Sequence, residues 1–237
     1  MSKTLSAKHE YERWLSYSQL DEASRQELEA IANDEEKIAL WFTNPISFGT
    51  AGLRSTMHPG IACMNVYTVA QATRGIAALI AKENGVSRGV AIAYDSRNHS
   101  EEFARVSAEV LAANGIRSYL FDGVRPTPEL SFAVRHLGCI AGINITASHN
   151  PKEYNGYKAY WEDGAQLSPE QSAVVAAAIA DVDVLGRQSG GKRGSRGSTE
   201  NRLHTFARCR LSFGTGNPET FRTETSLSRS GTNGAGR

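Results

Sequence analysis

Only three cysteines stand in 237 residues, at Cys63, Cys139 and Cys209, and neither their number nor their spacing suits a disulfide framework or a zinc site. No apolar run approaches the ~18 residues of a membrane span, and the amino terminus lacks the apolar core of a signal peptide. A reducing, cytoplasmic setting without membrane attachment is therefore expected. The Gly-x-Ser-x-Gly elbow of α/β-hydrolases is missing, which argues against serine hydrolysis. The Gly-Lys-Ser/Thr ending of a P-loop is missing too. The histidines show no metal spacing.

The sharpest lack is local. Residues 187–237 contain no Val, Ile, Met, Tyr or Trp, and Gly, Ser, Thr and Arg supply 32 of these 51 positions. This tail carries a net charge of +7, so residues 1–186 carry −6 within an overall +1. A segment of that composition buries too little apolar surface to offset its chain entropy, and it reads as a disordered basic tail.

What is present is an alternation of elements. Residues 11–42 read as two amphipathic helices, with Trp14, Leu15, Leu28 and Ile31 apolar in the first stretch and Ile38, Trp41 and Phe42 in the second. Asn65 is an N-cap for a helix ending at Asn84-Gly85. Residues 89–94 form a short apolar strand, Ser100 caps the next helix, and residues 116–121 make a second strand. Thr127-Pro128 opens a helix, residues 139–145 are a third strand, and residues 157–161 a fourth. Ser168-Pro169 starts an Ala/Val-rich helix. Alternation at this spacing predicts an α/β fold with a mixed, largely parallel sheet and helices on both faces, preceded by two helices. Ligands of such sheets gather at the carboxyl ends of the strands. Here those ends carry Asp95-Ser96-Arg97, residues 122–126 and residues 146–150.

Four motifs lie on or near this rim. Ser148, in Thr146-Ala147-Ser148-His149-Asn150-Pro151, is a hydroxyl at a strand end, with His149, Asn150 and backbone N–H groups as donors for a phosphoryl group. Its bland alternative is an Asn-Pro turn. Gly49-Thr50-Ala51-Gly52-Leu53-Arg54 allows close backbone approach to an anion and supplies a planar guanidinium, against a plain structural loop. Asn155-Gly156 reads as a turn that brings Lys158 back towards Ser148, as acid/base or charge neutraliser, against a solvated strand-edge lysine. Asp95-Ser96-Arg97 and Arg125-Pro126-Thr127-Pro128 read as ties between the rim loops. Asp181 and Asp183 read as a helix end rather than a metal loop.

In order, "FGTAGLR", "AYDSR", "RPTPELSFAVR", "ITASHNPKEYNGYK" and "DGAQLSP" resemble the first domain of the α-D-phosphohexomutases, in particular the bacterial phosphoglucomutase/phosphomannomutase branch with an N-terminal helical segment. The resemblance covers about residues 10–186. It implies that Ser148 is the phosphoserine, that glucose 1-phosphate and glucose 6-phosphate interconvert through glucose 1,6-bisphosphate, and that Mg²⁺ binds a phosphoserine oxygen of Ser148. It further implies that Lys158 and Arg54 serve proton transfer and charge stabilisation, and that His149 orients the serine and substrate. The partner implied is a small sugar phosphate.

The chain departs from this pattern as well. The family's three-aspartate metal loop, its sugar loop and its C-terminal phosphate loop have no counterpart here, and residues 55–63, "STMHPGIAC", are atypical beside Arg54. The expected division is a helical extension over 1–43, the phosphoserine domain over 44–186, and the tail over 187–237. Nine Arg against one Lys in that tail suggest a wrong-frame ending. A natural basic tail touching nucleic-acid phosphates is the alternative. Little turnover is expected of such a chain. The alternatives in function are a phosphomannomutase or phosphopentomutase of the same family, and a non-catalytic domain that binds sugar phosphate or a partner.

Overall fold

The computed structural model describes residues 3–186 and the segments Ala207–Cys209 and Thr223–Thr225. Three helices come first: α1 (Lys3–Leu15), α2 (Glu22–Ala30) and α3 (Glu35–Phe42). The sequence suggests two, and capping explains the third. The Asp21 carboxylate accepts from Ser24 N at 2.9 Å and starts α2 afresh, as Asp34 does for α3 through Lys37 N at 3.0 Å. Arg25 then donates to the Leu15 and Tyr17 carbonyls at 2.7 and 3.0 Å, meeting acceptors at the end of α1. Trp14, Leu28, Trp41 and Phe42 bury together with Cys63, Val184 and Leu185, so these helices share an apolar cluster with the segments around residues 63 and 184–185. From the far side of the sequence, Asp183 bonds Arg13 of α1.

The remaining elements are β1 (Leu53–Thr56), α4 (Val66–Lys82), β2 (Val90–Tyr94), α5 (Ser100–Ala113), β3 (Ser118–Phe121), α6 (Thr127–His136), β4 (Ala141–Ile145), β5 (Tyr154–Trp161) and α7 (Pro169–Ala180). The two later segments are β6 (Ala207–Cys209) and β7 (Thr223–Thr225). The sheet order is β1-β5-β4-β2-β3-β6-β7. Strands β4, β2, β3 and β6 run parallel, while β5, β1 and β7 are antiparallel to their neighbours.

Both faces of the central strands are covered, which is why β2 and β4 are buried at every position and read as apolar runs, interrupted in β4 by Asn144. Val90, Ile92, Ile143 and Ile145 pack with α4, α5 and α7. Ala91, Ala93 and Tyr160 pack against Leu130, Ala133 and Val134 of α6 on the other face. The Asn65 cap is realised as a reciprocal box with Thr68. No helix among the described residues is long and apolar enough to cross a membrane.

Three further expectations change. Strand β1 is not expected from the sequence, where its four residues read as the end of a glycine loop and its sequel. Asn155-Gly156 is no turn; both residues lie inside β5, which pairs with β4 on one side and β1 on the other. Ser100 is the first helical residue of α5 rather than its cap, and its hydroxyl donates to Asp95 at 2.8 Å. The expectations of disorder and of a wrong-frame ending for residues 187–237 lie outside the described residues, except that β6 and β7 are strands on the β3 edge.

Candidate functional site

Strand register assembles the site. Arg54 of β1 stands opposite Gly156 of β5, Lys158 of β5 opposite Asn144 of β4, and Asn144 opposite Ala93 of β2. Alternate residues of a strand share a face, so Arg54, Lys158 and Asn144 fall on the α6 side, with Leu53, Tyr157 and Ile145 in the opposite core. Asp95 continues that side just past β2. Two glycines permit the close strand approach. A Cβ on Gly52, at φ +82°, would lie 1.9 Å from the Tyr157 carbonyl oxygen, and one on Gly156 would lie 2.6 Å from that of Thr146.

The chain leaves β4 at Ile145, and Thr146 N still donates to Gly156 O at 2.9 Å. Ser148 then adopts φ +59°, a left-handed conformation unusual for serine. Its N–H donates to Thr146 Oγ1 at 3.0 Å, and the residue is exposed at the rim. An unfavourable backbone kept at a rim hydroxyl motivates a functional reading.

One guanidinium holds the whole loop. Arg97 Nη2 donates to the carbonyls of Ser148 and Asn150 at 2.8 and 2.7 Å, and Nη1 to those of Pro151 and Tyr154 at 2.8 and 3.1 Å. Its Nε lies 3.4 Å from Asp95. Asp95 also accepts from Arg97 N and Ser100 Oγ, and Ser100 Oγ in turn accepts from Asn155 Nδ2 at 2.9 Å. The tying role read for Asp95-Ser96-Arg97 is what these bonds perform. Arg125 closes the β3–α6 turn through Asp122 at 3.0 Å and Glu129 at 3.2 Å.

The structure joins Arg54 to the serine loop directly: Nη1 donates to Asn150 Oδ1 at 2.9 Å. Lys158 is half-buried, and burial first, then repulsion from Arg54, lowers its pKa below the ordinary lysine value, with Asp95 opposing. His149 is exposed and makes no hydrogen bond among the described residues, so its orienting role stands on the motif alone. The residue that reasoning from sequence undervalues is Arg97, signalled by an Asp-Ser-Arg run at a strand end. It misses Asn144 altogether, although a lone amide inside the apolar run "CIAGINI" is a signal.

The lowered lysine has a consequence for stability. The unfolded state binds the proton more tightly, so fold stability rises as pH climbs from the depressed folded value towards 10.5. Lys158→Met is accordingly expected to melt no lower than the parent at neutral pH. Calorimetry checks this, and a clear fall in melting temperature would show the ammonium to be stabilising instead.

Mg²⁺ chemistry needs a set of oxygen ligands. Among the described residues no three His, Cys, Asp or Glu side chains gather as a metal site, and Asp95 is engaged by Arg97 and Ser100. The residues around Ser148 therefore do not by themselves fit the ion. A separate cavity of about 720 Å³ lies between α3 and β1, lined by Leu40, Thr56, Cys63 and Tyr154, and includes none of Arg54, Ser148 or Lys158.

A sheet covered on both faces, with a polar rim at its strands' carboxyl ends, defines a three-layer α/β/α domain. The family description "Phosphoglucomutase/phosphomannomutase, alpha/beta/alpha domain I" matches residues 45–184, and the chain belongs to that family of phosphosugar mutases. It is 43% identical over 150 residues to the phosphopentomutase of Homo sapiens, covering 60% of this chain and 24% of that protein. It is 46% identical over 149 residues to the phosphoglucomutase of Staphylococcus saprophyticus, covering 63% and 27%. A solved phosphomannomutase-type structure from Thermus thermophilus superposes with a TM-score of 0.55 at 31% identity, covering 63% of this chain and 32% of that one. The chain thus spans about a quarter of the length of the curated relatives it matches.

Proposed function

We propose that this chain is the phosphoserine-bearing portion of a phosphosugar mutase, with Ser148 as the residue that gives and takes the phosphoryl group. The observation that carries the reading is the convergence of Arg54 on the loop of a left-handed, exposed Ser148, with Lys158 beside it on the same face.

In the forward step the bond between phosphorus and Ser148 Oγ breaks as a sugar hydroxyl bonds the phosphorus. Ser148 Oγ takes up a proton as the sugar hydroxyl gives one up. The bisphosphate then returns its other phosphoryl group to Ser148 by the reverse chemistry. Arg54 and Lys158 place positive charge where the equatorial phosphoryl oxygens gather charge, and the loop held by Arg97 keeps the hydroxyl at the rim. Glucose 1-phosphate is the proposed substrate. The kinship with phosphopentomutases makes ribose 1-phosphate the second sugar to assay.

The test is phosphopeptide mass spectrometry on the purified chain after incubation with glucose 1,6-bisphosphate. Phosphate on the peptide holding Ser148 is expected. An unmodified serine would overturn the reading and favour the alternative, a non-catalytic sugar-phosphate-binding domain. No carboxylate set for Mg²⁺ gathers among the described residues. Multiple turnover is expected to be slight, for that reason.

A further inference from the structure

Asn144 sits inside β4 with 1% of its surface exposed. Its Nδ2 donates to Thr127 Oγ1 at 2.8 Å, at the first residue of α6. Its Oδ1 is buried with no hydrogen-bond partner among the described residues. A buried acceptor left open is unfavourable, and such an atom asks what it is kept for. Directly across the β4–β5 pair stands Lys158. Side chains so paired have Cβ atoms roughly 4.5–5.5 Å apart, within reach of an ammonium on its four-carbon stem.

The Lys158 ammonium makes no hydrogen bond among the described residues. The charged groups that face it are Arg54 from β1 and Asp95 beyond β2. From α6 comes the Thr127 hydroxyl, while Glu129 is turned to Arg125 at 3.2 Å. Arg54 repels the ammonium and Asp95 is shared among other donors, so neither fixes it in place.

We propose that Asn144 is a positioning residue for Lys158, its side-chain oxygen being the acceptor that draws the ammonium onto the floor of the cluster beneath the Ser148 loop. This deepens the mutase reading and rests on it for the use made of Lys158, but the contact can be tested without catalysis. An acceptor on β4 separates the lysine from the like charge of Arg54. It also leaves the remaining ammonium protons directed at incoming phosphoryl oxygens.

The experiment is a pH titration of the full chain by NMR of ¹³C-labelled lysine side chains, with the Lys158 signal identified by its loss in Lys158→Met. Asn144→Asp places a carboxylate at the proposed contact and is expected to raise the Lys158 midpoint by about one pH unit or more. Asn144→Leu removes the acceptor and is expected to lower that midpoint, while calorimetry follows the loss of the bond to Thr127. Should the aspartate disturb folding, the leucine variant decides alone. A Lys158 midpoint unchanged by Asn144→Leu would overturn the inference, since an amide that only packs, or that holds a water, leaves the lysine where it was. A shifted midpoint with no phosphate on Ser148 would uphold the contact and defeat the mutase reading. Phosphate on Ser148 with an unmoved midpoint would do the reverse.

Discussion

Ser148→Ala is expected to abolish incorporation of phosphate from glucose 1,6-bisphosphate while leaving the melting temperature within about 2 °C of the parent, as for an exposed side chain outside the core. The hydroxyl makes no bond among the described residues, and the N–H that holds the turn to Thr146 survives the change. Ser148→Gly sharpens the result. A left-handed conformation costs a non-glycine residue about 1–2 kcal/mol, and glycine adopts it freely but loses more chain entropy on folding. The glycine variant should therefore be as stable as the parent or better by up to about 1 kcal/mol, and equally unable to take phosphate. Radiolabel transfer and calorimetry on the same preparations check both halves. Labelling that persists in Ser148→Ala would place the acceptor elsewhere.

Arg97→Ala is expected to have the second large effect, on stability and chemistry together. The side chain is 15% exposed and donates to four carbonyls of one loop. Hydrogen bonds from a charged donor contribute roughly 1.5–3 kcal/mol each when buried, but the freed carbonyls lie near the surface and can rehydrate. A net loss of about 2–4 kcal/mol is expected, or roughly 5–15 °C in melting temperature for a domain of this size. The rate of Ser148 phosphorylation should fall about 100-fold, because a displacement of ~1 Å at a reacting group costs that much. Arg97→Lys should recover little, since an ammonium cannot span four acceptors as a planar fork does. Hydrogen exchange over residues 148–154 supplies the structural readout, and unchanged protection in Arg97→Ala would refute the clamp.

Much of this is legible before any coordinates. The apolar runs at 89–94 and 139–145 are buried on both faces and announce parallel strands. Asn65 and Ser168 announce their helices by local hydrogen bonding. Elements whose cause lies elsewhere in the chain are not legible. Strand β1 is a strand only because β5 lies beside it, with Gly52 letting the backbones meet. Asn155-Gly156 has the composition of a turn, yet it is held straight by neighbours on both sides, and Asn155 spends its amide on Asn98 and Ser100. In the helical extension, one expected helix becomes two because Asp21 caps a new start within four residues of the Tyr17 turn.

The site divides the same way. The residues alone name the available chemistry, a rim serine followed by His-Asn-Pro, an arginine closing a glycine motif and a lysine after Asn-Gly, because each motif is a local fact. Folding is what brings Arg54 to Asn150 across 96 positions, sets Arg97 against the serine loop from another strand end, and leaves Asn144 with an open oxygen opposite Lys158. Register is the reason. A shift of one residue between β4 and β5 would send Lys158 to the opposite face, and what fixes that register is the burial of Tyr157 and Ile145 in a core built by helices distant in the chain.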